Sequence, residues 1–464
     1  MIITGDNMLQ VDSRNVKKGD TFLALRGVSS DGHHYISKAI ENGASKIIAE
    51  EGNYSVLTEI VPDTREYLAQ YLKQEYQTMI NDITLIGITG TNGKTTTAYL
   101  LYQALNKLGE KTAYIGTIGF YLEDKVRSLN NTTPDLFDLY ELFKESYDKG
   151  FKTIVMEVSS QAISYGRIKE IPFSYTLFTN LTQDHLDYHK TMENYANAKQ
   201  QLFKQLKKDG WAIINADDSY KERFTLKENN NAFYGFTNGD LQIQKYYMTM
   251  EETTFFYLYE KNEYQVSTSL TGKYKLYNLG LMILTLIKMN YPIENINKIV
   301  KFLSSPSGRM EKIPYKKNSI IIDYAHTPDA ICKLIRTVKE ILKGNLYVVF
   351  GCTGDRDRIK RPIMTNLVLT NCTKAILTND DPHFENPKQI FQDMLKENTL
   401  TNYEICEDRK VAIQKGIDLL KENDILLILG KGHEEFMIIG NEKIPFHDKT
   451  EVFTILNKIQ SSQK

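Results

Sequence analysis

Apolar residues fall along this chain in short β-branched runs that alternate with helical stripes. Residues 21–25 and 46–49 read as strands, and residues 36–42 between them as a helix closed by Gly43. Residues 83–89 (Ile-Thr-Leu-Ile-Gly-Ile-Thr) then open a different pattern, apolar on both faces, as a strand covered on both sides must be. A glycine turn follows, and Ala98, Leu101, Leu105 and Leu108 recur at helical spacing until Gly109. Further buried-strand runs lie at 153–158, 175–180 and 211–215, with helical patterns between several of them. Beyond the Ser-, Pro- and Gly-rich stretch 304–308 the alternation restarts, with strands at 320–323, 346–350, 374–377 and 425–429 and a helix at 330–342. This order predicts a three-domain α/β protein: residues 1–82, residues 83–306 with a mostly parallel central sheet carrying a phosphate loop, and residues 307–464 with a Rossmann-like arrangement.

Composition narrows the class. The 464 residues include 57 Lys+Arg and 58 Asp+Glu, a formal net charge of −1, with 41% hydrophobic and 25% charged residues. So even a balance gives no general attraction to nucleic acid or anionic lipid. The apolar runs are far short of the roughly 20 residues that span a bilayer, and Met1 is not followed by a secretory pattern. Cys332, Cys352, Cys372 and Cys406 show neither Cys-x-x-Cys nor zinc spacing. The expectation is a cytoplasmic enzyme with reduced thiols and no membrane insertion.

The strongest chemical signal is Gly90-Thr91-Asn92-Gly93-Lys94-Thr95-Thr96 between the buried strand and the helix. Glycines let the backbone curl so that its N–H groups face phosphate oxygens, and the helix adds its positive end. Lys94 can neutralise phosphate charge, and the Thr95 hydroxyl can ligate Mg²⁺. The spacing is unusual, since two residues rather than four separate Gly90 from Gly93. Glu157 closes a strand, where a carboxylate can hold a metal, although a solvated strand-end acid has the same look. Asp184-His185-Leu186-Asp187-Tyr188-His189 suggests metal or phosphate work, or a charged helix start. Lys199 by itself reads as an ordinary helix-surface lysine. In the last domain three strands end in polar loops: Asp323-Tyr324-Ala325-His326, Gly351 to Arg358, and Gly430-Lys431-Gly432-His433-Glu434. Such loops build a recognition rim on one sheet edge. Most of the 29 tyrosines read as packing and surface.

Taken in order, Gly90 to Thr96, Asn131-Thr132-Thr133-Pro134, Glu157 to Ser160, Asp184-His185, Lys199, Asp323 to His326, Arg356 and Gly430 to Glu434 resemble the Mur ligases. The resemblance runs from about Asp12 to Asp448. It implies an ATP-dependent ligase of peptidoglycan synthesis, which activates UDP-N-acetylmuramoyl-L-alanyl-D-glutamate as an acyl phosphate and adds a third, diamino acid. It places Val11, Ser13, Gly27, Val28 and Ser29 near UDP, and Asn131, Thr132, Thr133, Ser159 and Arg167 near the muramoyl-dipeptide. Gly90, Thr91, Asn92, Gly93, Lys94, Thr95 and Thr96 would hold ATP phosphates, joined by Asn278, Arg309, Asp323 and His326. Thr95, Glu157, His185 and Lys199 match the Mg²⁺ positions, Lys199 as a carbamate formed with CO₂, and Lys94 belongs with the last three as the catalytic set. Arg356, Asp380, Asp381, Pro382, His383, Gly430 and Glu434 match the amino-acid pocket. The resemblance also implies a monomer whose partners are the UDP-N-acetylmuramoyl-dipeptide, ATP and a free amino acid.

The chain departs from the family pattern in the amino-acid loop. Members that take meso-diaminopimelate carry Asp-Asn-Pro-Arg, and this chain reads Asp380-Asp381-Pro382-His383. A histidine cannot reproduce the bidentate grip of an arginine on a distal carboxylate, and the added acid suits a distal ammonium. L-lysine is therefore the favoured third residue, with meso-diaminopimelate or ornithine as alternatives. Tyr165, Gln161, Lys275, Thr353 and Ile359 also differ from the usual residues. A folylpolyglutamate synthetase shares the architecture but lacks the uridine-binding segment, and a non-catalytic nucleotide binder would not need Lys94, Glu157, His185 and Lys199 together.

Overall fold

The structure, a computed structural model, describes residues 3–4, 7–27, 30–249 and 251–462. The chain is a three-domain α/β protein, and its contacts gather into two compact units, residues 1–233 and 234–464.

In the first unit a five-stranded sheet runs in the order Ile3–Thr4, Asn7–Gln10, Thr21–Leu23, Lys46–Ala49 and Leu57–Ile60, parallel from the second strand onward. Helix Thr64–Glu75 follows, its amides at Arg65 and Glu66 capped by the Asp63 carboxylate. Arg65 ties this domain to the next, donating from Nη1 to the carbonyl of Tyr165 at 3.0 Å and from Nε to that of Arg26 at 2.8 Å.

The larger sheet places Leu206–Asn215, Phe173–Phe178, Thr84–Thr89, Thr153–Glu157 and Thr112–Gly116 side by side, all parallel. Gly119–Tyr121 and Lys125–Arg127 extend it antiparallel. Thr84–Thr89 lies between two parallel neighbours, and five of its six residues are buried, which accounts for its unbroken apolar spelling. In register, Thr89 faces Phe178 and Ile88 faces Glu157, so the loops after three adjacent strands open on one edge.

In the second unit Leu241–Met248, Thr253–Tyr259 and Asn262–Thr268 form an antiparallel meander, followed by helices Lys273–Lys288 and Ile293–Val300. A six-stranded sheet then runs in the order Glu311–Tyr315, Asn318–Asp323, Ile425–Leu429, Leu346–Phe350, Lys374–Leu377 and Tyr403–Ile405. All but its first pair are parallel. Helix Pro328–Ile341 starts at Pro328, with the Thr327 hydroxyl accepting from Ala330 N–H.

The stretch 304–308 is less free than its composition suggests. Gly308 sits at φ 66°, and a Cβ there would lie 2.2 Å from the backbone of Gly432 and His433. Its carbonyl also accepts from Tyr324 N–H at 2.8 Å. The end of the linker is therefore packed onto the rim of the last sheet. Among the described residues, no helix is long and apolar enough to cross a membrane.

Candidate active site

The phosphate loop leaves strand Thr84–Thr89 and enters helix Lys94–Lys107 at Gly93, whose φ of 89° is left-handed. Gly90 has φ 146°, and a Cβ on it would stand 1.9 Å from Thr179 Oγ1. Both positions need glycine for a stated reason, one for conformation and one for space. The neighbouring strand end clamps the loop: Asn180 Oδ1 accepts from Asn92 N–H at 3.0 Å, and the Asn180 carbonyl accepts from Thr91 N–H at 2.8 Å. Thr179 Oγ1 donates to the Asn92 carbonyl at 2.7 Å. Lys94 Nζ donates to the carbonyls of Gly90 and Thr91 at 2.9 and 2.8 Å, which lays the ammonium across its own loop. The amides of the first helical turn have no intrahelical acceptor and carry the positive end of the helix dipole.

Glu157 is fully buried, and its carboxylate is met by neutral donors rather than by a cation. Oε1 accepts from the Tyr114 hydroxyl at 2.6 Å and from Thr117 N–H at 2.8 Å. Oε2 accepts from Thr95 Oγ1 at 2.8 Å and from Thr117 Oγ1 at 3.3 Å. Hard oxygens on a strand end and at a helix start are the donor set that Mg²⁺ takes, so Thr95 and Glu157 fit that ion.

Lys199 corrects the surface reading. It is 1% exposed, on helix Met192–Phe203, with Nζ donating to the Gly90 carbonyl at 2.7 Å and lying 4.5 Å from the Tyr195 ring centre. Burial, with Lys94 nearby, pushes its pKa well below the ordinary lysine value, and Asp184 opposes that only in part. His185, at φ 53°, stands 6.2 Å ring to ring from the same Tyr195, with Asp184 Oδ2 3.5 Å from its Nε2. Tyr195 also shares a 3.2 Å hydrogen bond with Thr91 Oγ1. So Lys199, His185 and the phosphate loop meet around one tyrosine that sequence reasoning did not single out.

The muramoyl-dipeptide candidates form a network on the same edge. Thr133 Oγ1 donates to the Glu157 carbonyl at 3.0 Å and accepts from Ser159 N–H at 3.1 Å. Arg167 Nη1 donates to the Thr133 carbonyl at 2.9 Å, and Thr132 and Thr117 hydroxyls lie 3.1 Å apart. Asn131 is exposed at the start of this loop. In the N-terminal domain Ser13 is buried at the start of a 3₁₀ turn capped by Asp12, and Val11 is half-buried beside it. Gly27 N–H donates to Ser30 at 2.8 Å. Val28 and Ser29 lie outside the described residues.

In the second unit the strand ends at Asp323, Leu429 and Phe350 are level, as the parallel register requires. Asp323 is enclosed, accepting from Met310 N–H at 2.6 Å and Ala325 N–H at 2.8 Å, and burial raises its pKa against the pull of Arg309 and Lys275. Arg309 stacks 4.6 Å over the Tyr324 ring, and its buried Nε has no hydrogen-bond acceptor among the described residues. His326 follows at the start of helix Pro328–Ile341, with Nδ1 2.8 Å from the Tyr324 carbonyl oxygen. Asn278 is buried on helix Lys273–Lys288. Beside it Lys275, also buried, donates to Ser305 Oγ and the Arg309 carbonyl at 2.9 Å each, and burial brings it down to about 7.

Asp380, Asp381 and Glu434 come together around Lys431, with Nζ 2.8 Å from Asp381 Oδ1, 3.0 Å from Glu434 Oε2 and 3.8 Å from Asp380 Oδ1. Burial pushes Asp380 up to about 7 although Arg409 and Lys431 pull it down, and burial raises Glu434 as well. The charge of Asp381 is thus taken up from inside the protein, by Lys431 and by Ile438 N–H at 2.9 Å. Gly430, at φ 110°, lets its backbone approach this cluster, since a Cβ would stand 2.2 Å from Asp380 Oδ2. His383 is held at φ 50°, donating its N–H to the Ile438 carbonyl at 3.1 Å and accepting from Gly440 N–H at 2.7 Å. Pro382 is buried, and its carbonyl leaves room beside it only for the hydrogen of Gly354. Arg356 is exposed on the adjoining loop. That loop is fastened by the buried Arg361, which donates to both Glu385 oxygens at 2.8 and 2.7 Å, and this holds Glu385 down to about 2.

A strand, a shortened phosphate loop and a helix, with a buried carboxylate touching the first helical hydroxyl, define a nucleotide-dependent phosphoryl-transfer fold. Family comparison agrees throughout. Residues 88–286 match the Mur ligase middle domain, residues 308–432 the Mur ligase glutamate ligase domain, and residues 7–79 the Mur ligase family catalytic domain. The chain belongs to the Mur ligase family. Similar curated proteins include a UDP-N-acetylmuramoyl-L-alanyl-D-glutamate–2,6-diaminopimelate ligase of Clostridium botulinum, 37% identical over 97% of this chain and 95% of its own length. One of the same name from Aquifex aeolicus is 39% identical over 97% of this chain and 93% of its own. Among solved structures, a ligase of that name superposes with a TM-score of 0.72 at 29% identity, covering 97% of this chain and 95% of the other. A MurF ligase from Thermotoga maritima in complex with ADP, at 18% identity and TM-score 0.68 over 99% of both chains, shares the fold. Like the family, this protein is an ATP-dependent ligase that forms peptide bonds and uses Mg²⁺.

Proposed function

We propose that the protein activates the terminal carboxylate of UDP-N-acetylmuramoyl-L-alanyl-D-glutamate with ATP and joins a diamino acid to it, L-lysine by preference. The observation that carries this reading is the 2.8 Å contact between Thr95 and the buried Glu157, at the mouth of the loop that Lys94 crosses. The names of the relatives supply the nucleotide-peptide. In this reading residues 1–82 bind uridine nucleotide, 83–306 ATP and 307–464 the amino acid, in a cytoplasmic monomer.

The substrate carboxylate attacks the γ-phosphorus, releasing ADP and giving an acyl phosphate. The free amine then attacks the acyl carbon, and the tetrahedral intermediate expels inorganic phosphate. Lys94 moves from the carbonyls of Gly90 and Thr91 to the phosphate oxygens, and the helix amides face the same charge. Mg²⁺ held by Thr95, Glu157, His185 and Lys199 would supply further positive charge to the phosphate oxygens. We assign Lys199 as a carbamate: its burial favours the neutral amine over the ammonium, and a neutral amine adds CO₂ with loss of one proton. Lys199→Ala is expected to lose activity and to regain part of it with short carboxylic acids; full activity of that variant would refute the assignment.

The preference for L-lysine rests on charge. Three carboxylates surround the single ammonium of Lys431, and the neighbouring loop offers His383 where an arginine fork would grip a second carboxylate. A site short of positive charge suits a side chain ending in an ammonium. The second reading, meso-diaminopimelate, is favoured by the names of the relatives. Purified protein given the UDP-dipeptide, ATP and each amino acid in turn separates them: turnover with lysine well above that with meso-diaminopimelate is expected, and the reverse order would establish the second reading.

A further inference from the structure

We infer that Tyr114 is a positioning residue for the metal-binding carboxylate, fixing Glu157 so that only Oε2 is offered to the ion; this rests on the proposed role of Glu157. Tyr114 lies on strand Thr112–Gly116, next to Thr153–Glu157, with Ile115 opposite Met156. Its hydroxyl donates to Oε1 at 2.6 Å, and Thr117 N–H donates to the same oxygen at 2.8 Å. Two donors, one of them backbone, occupy Oε1. Oε2 is met only by hydroxyls, those of Thr95 and Thr117, which can rotate their protons away and present lone pairs. One oxygen is thus held and the other is exchangeable.

The surroundings are shaped for this contact. Gly116 carries no side chain where one would intrude: a Cβ there would lie 2.3 Å from Glu157 Oε1 and 2.4 Å from the Tyr114 hydroxyl. Tyr99, Tyr102 and Tyr121 pack around the Tyr114 ring, with centroids 6.0, 6.1 and 5.6 Å away, and fix its direction. Tyr102 is itself anchored by donating to the carbonyls of Leu122 and Glu123 at 2.7 and 2.8 Å. Outer partners of this kind orient metal ligands, and losing one typically weakens metal binding about 10- to 100-fold.

The test is Mn²⁺ binding to the full-length protein with ADP, followed by electron paramagnetic resonance. Tyr114→Phe should weaken Mn²⁺ about tenfold and leave ADP affinity in the absence of metal unchanged. Gly116→Ala keeps the tyrosine but pushes a methyl against Oε1, and it should weaken Mn²⁺ in the same direction. In a Glu157→Gln background, Tyr114→Phe should add no further loss; this double variant buries no unpaired carboxylate and keeps the test available if the single variant folds poorly. Unchanged Mn²⁺ affinity in Tyr114→Phe, or an equal further loss in the Glu157→Gln background, overturns the inference. Unchanged affinity in Glu157→Gln alone would instead remove the metal role on which it rests.

Discussion

Two buried charged regions of this molecule handle their charge in opposite ways. Around the phosphate loop, Glu157 is satisfied by a phenol, an amide and two hydroxyls, and Lys199 by a carbonyl and a ring face; among the described residues neither has an ion-pair partner. Around Lys431, the charges are paired within the protein, with Asp381 and Glu434 at 2.8 and 3.0 Å, and beside them Arg409 with Asp448 at 2.8 Å. The first arrangement leaves charge to be met by ligands, as a site that binds phosphates and a divalent cation requires. The second fixes the shape of the loops that carry it and leaves a modest excess of acid among them. Strength of binding and rigidity of form are thus assigned to different units.

The largest expected effect tests the first half of that contrast. Lys94→Ala should lower turnover on the order of a hundred- to a thousandfold, because the ammonium, which rests on the carbonyls of its own loop, is there to meet phosphate oxygens. Its urea midpoint should barely move. A large loss of stability instead would show that Lys94 is a structural ion.

Lys431→Met sharpens the second half. It leaves the buried Asp381, and the half-buried Glu434 beside it, without their cation, so a stability loss of about 3–5 kcal/mol is expected, read by urea unfolding. Asp380 adds a pH signature. Its folded pKa of about 7 lies above the unfolded value near 3.8, so the folded state holds the proton more tightly. Stability from this group is full below pH 4 and is lost as pH rises from about 4 to about 7. Asp380→Asn should remove that decline, and a slope unchanged by the substitution would place the proton elsewhere. The smallest effect belongs to an exposed pair, Lys73 with Glu170 at 2.6 Å. Lys73→Ala should cost under about 1 kcal/mol and less in high salt.

How much of this was legible in the sequence follows from physics as well. Strand 84–89 and its loop were readable because a strand in a parallel sheet must be apolar throughout and because glycine is needed at 90 and 93. The gathering of the loops after Asp323, Phe350 and Leu429 was readable because parallel strands bring their carboxyl ends to one edge. The meander at 241–268 went unread: strand Thr253–Tyr259 alternates buried and half-buried, but with Thr and Phe on both faces and Leu on the outer one the alternation is not one of polarity. The depth of Lys199 was hidden because a lysine on an amphipathic helix is usually solvated, and only the tertiary contact with Gly90 removes it from water. Tyr114 and Tyr195 were lost among many tyrosines, since a hydroxyl aimed at Glu157 or Thr91 is spelled like any packed ring. The linker at 304–308 misled in the other direction: Gly308 is there for close backbone approach and not for freedom.

The central claim is that the amide is made through an acyl phosphate formed at the loop of Gly90 to Thr96. The direct measurement supplies the nucleotide-dipeptide with ¹⁸O in its reacting carboxylate and follows the label by mass spectrometry after turnover with ATP and lysine. The account requires one labelled oxygen to appear in the released inorganic phosphate. Unlabelled phosphate accompanying normal amide formation would contradict it.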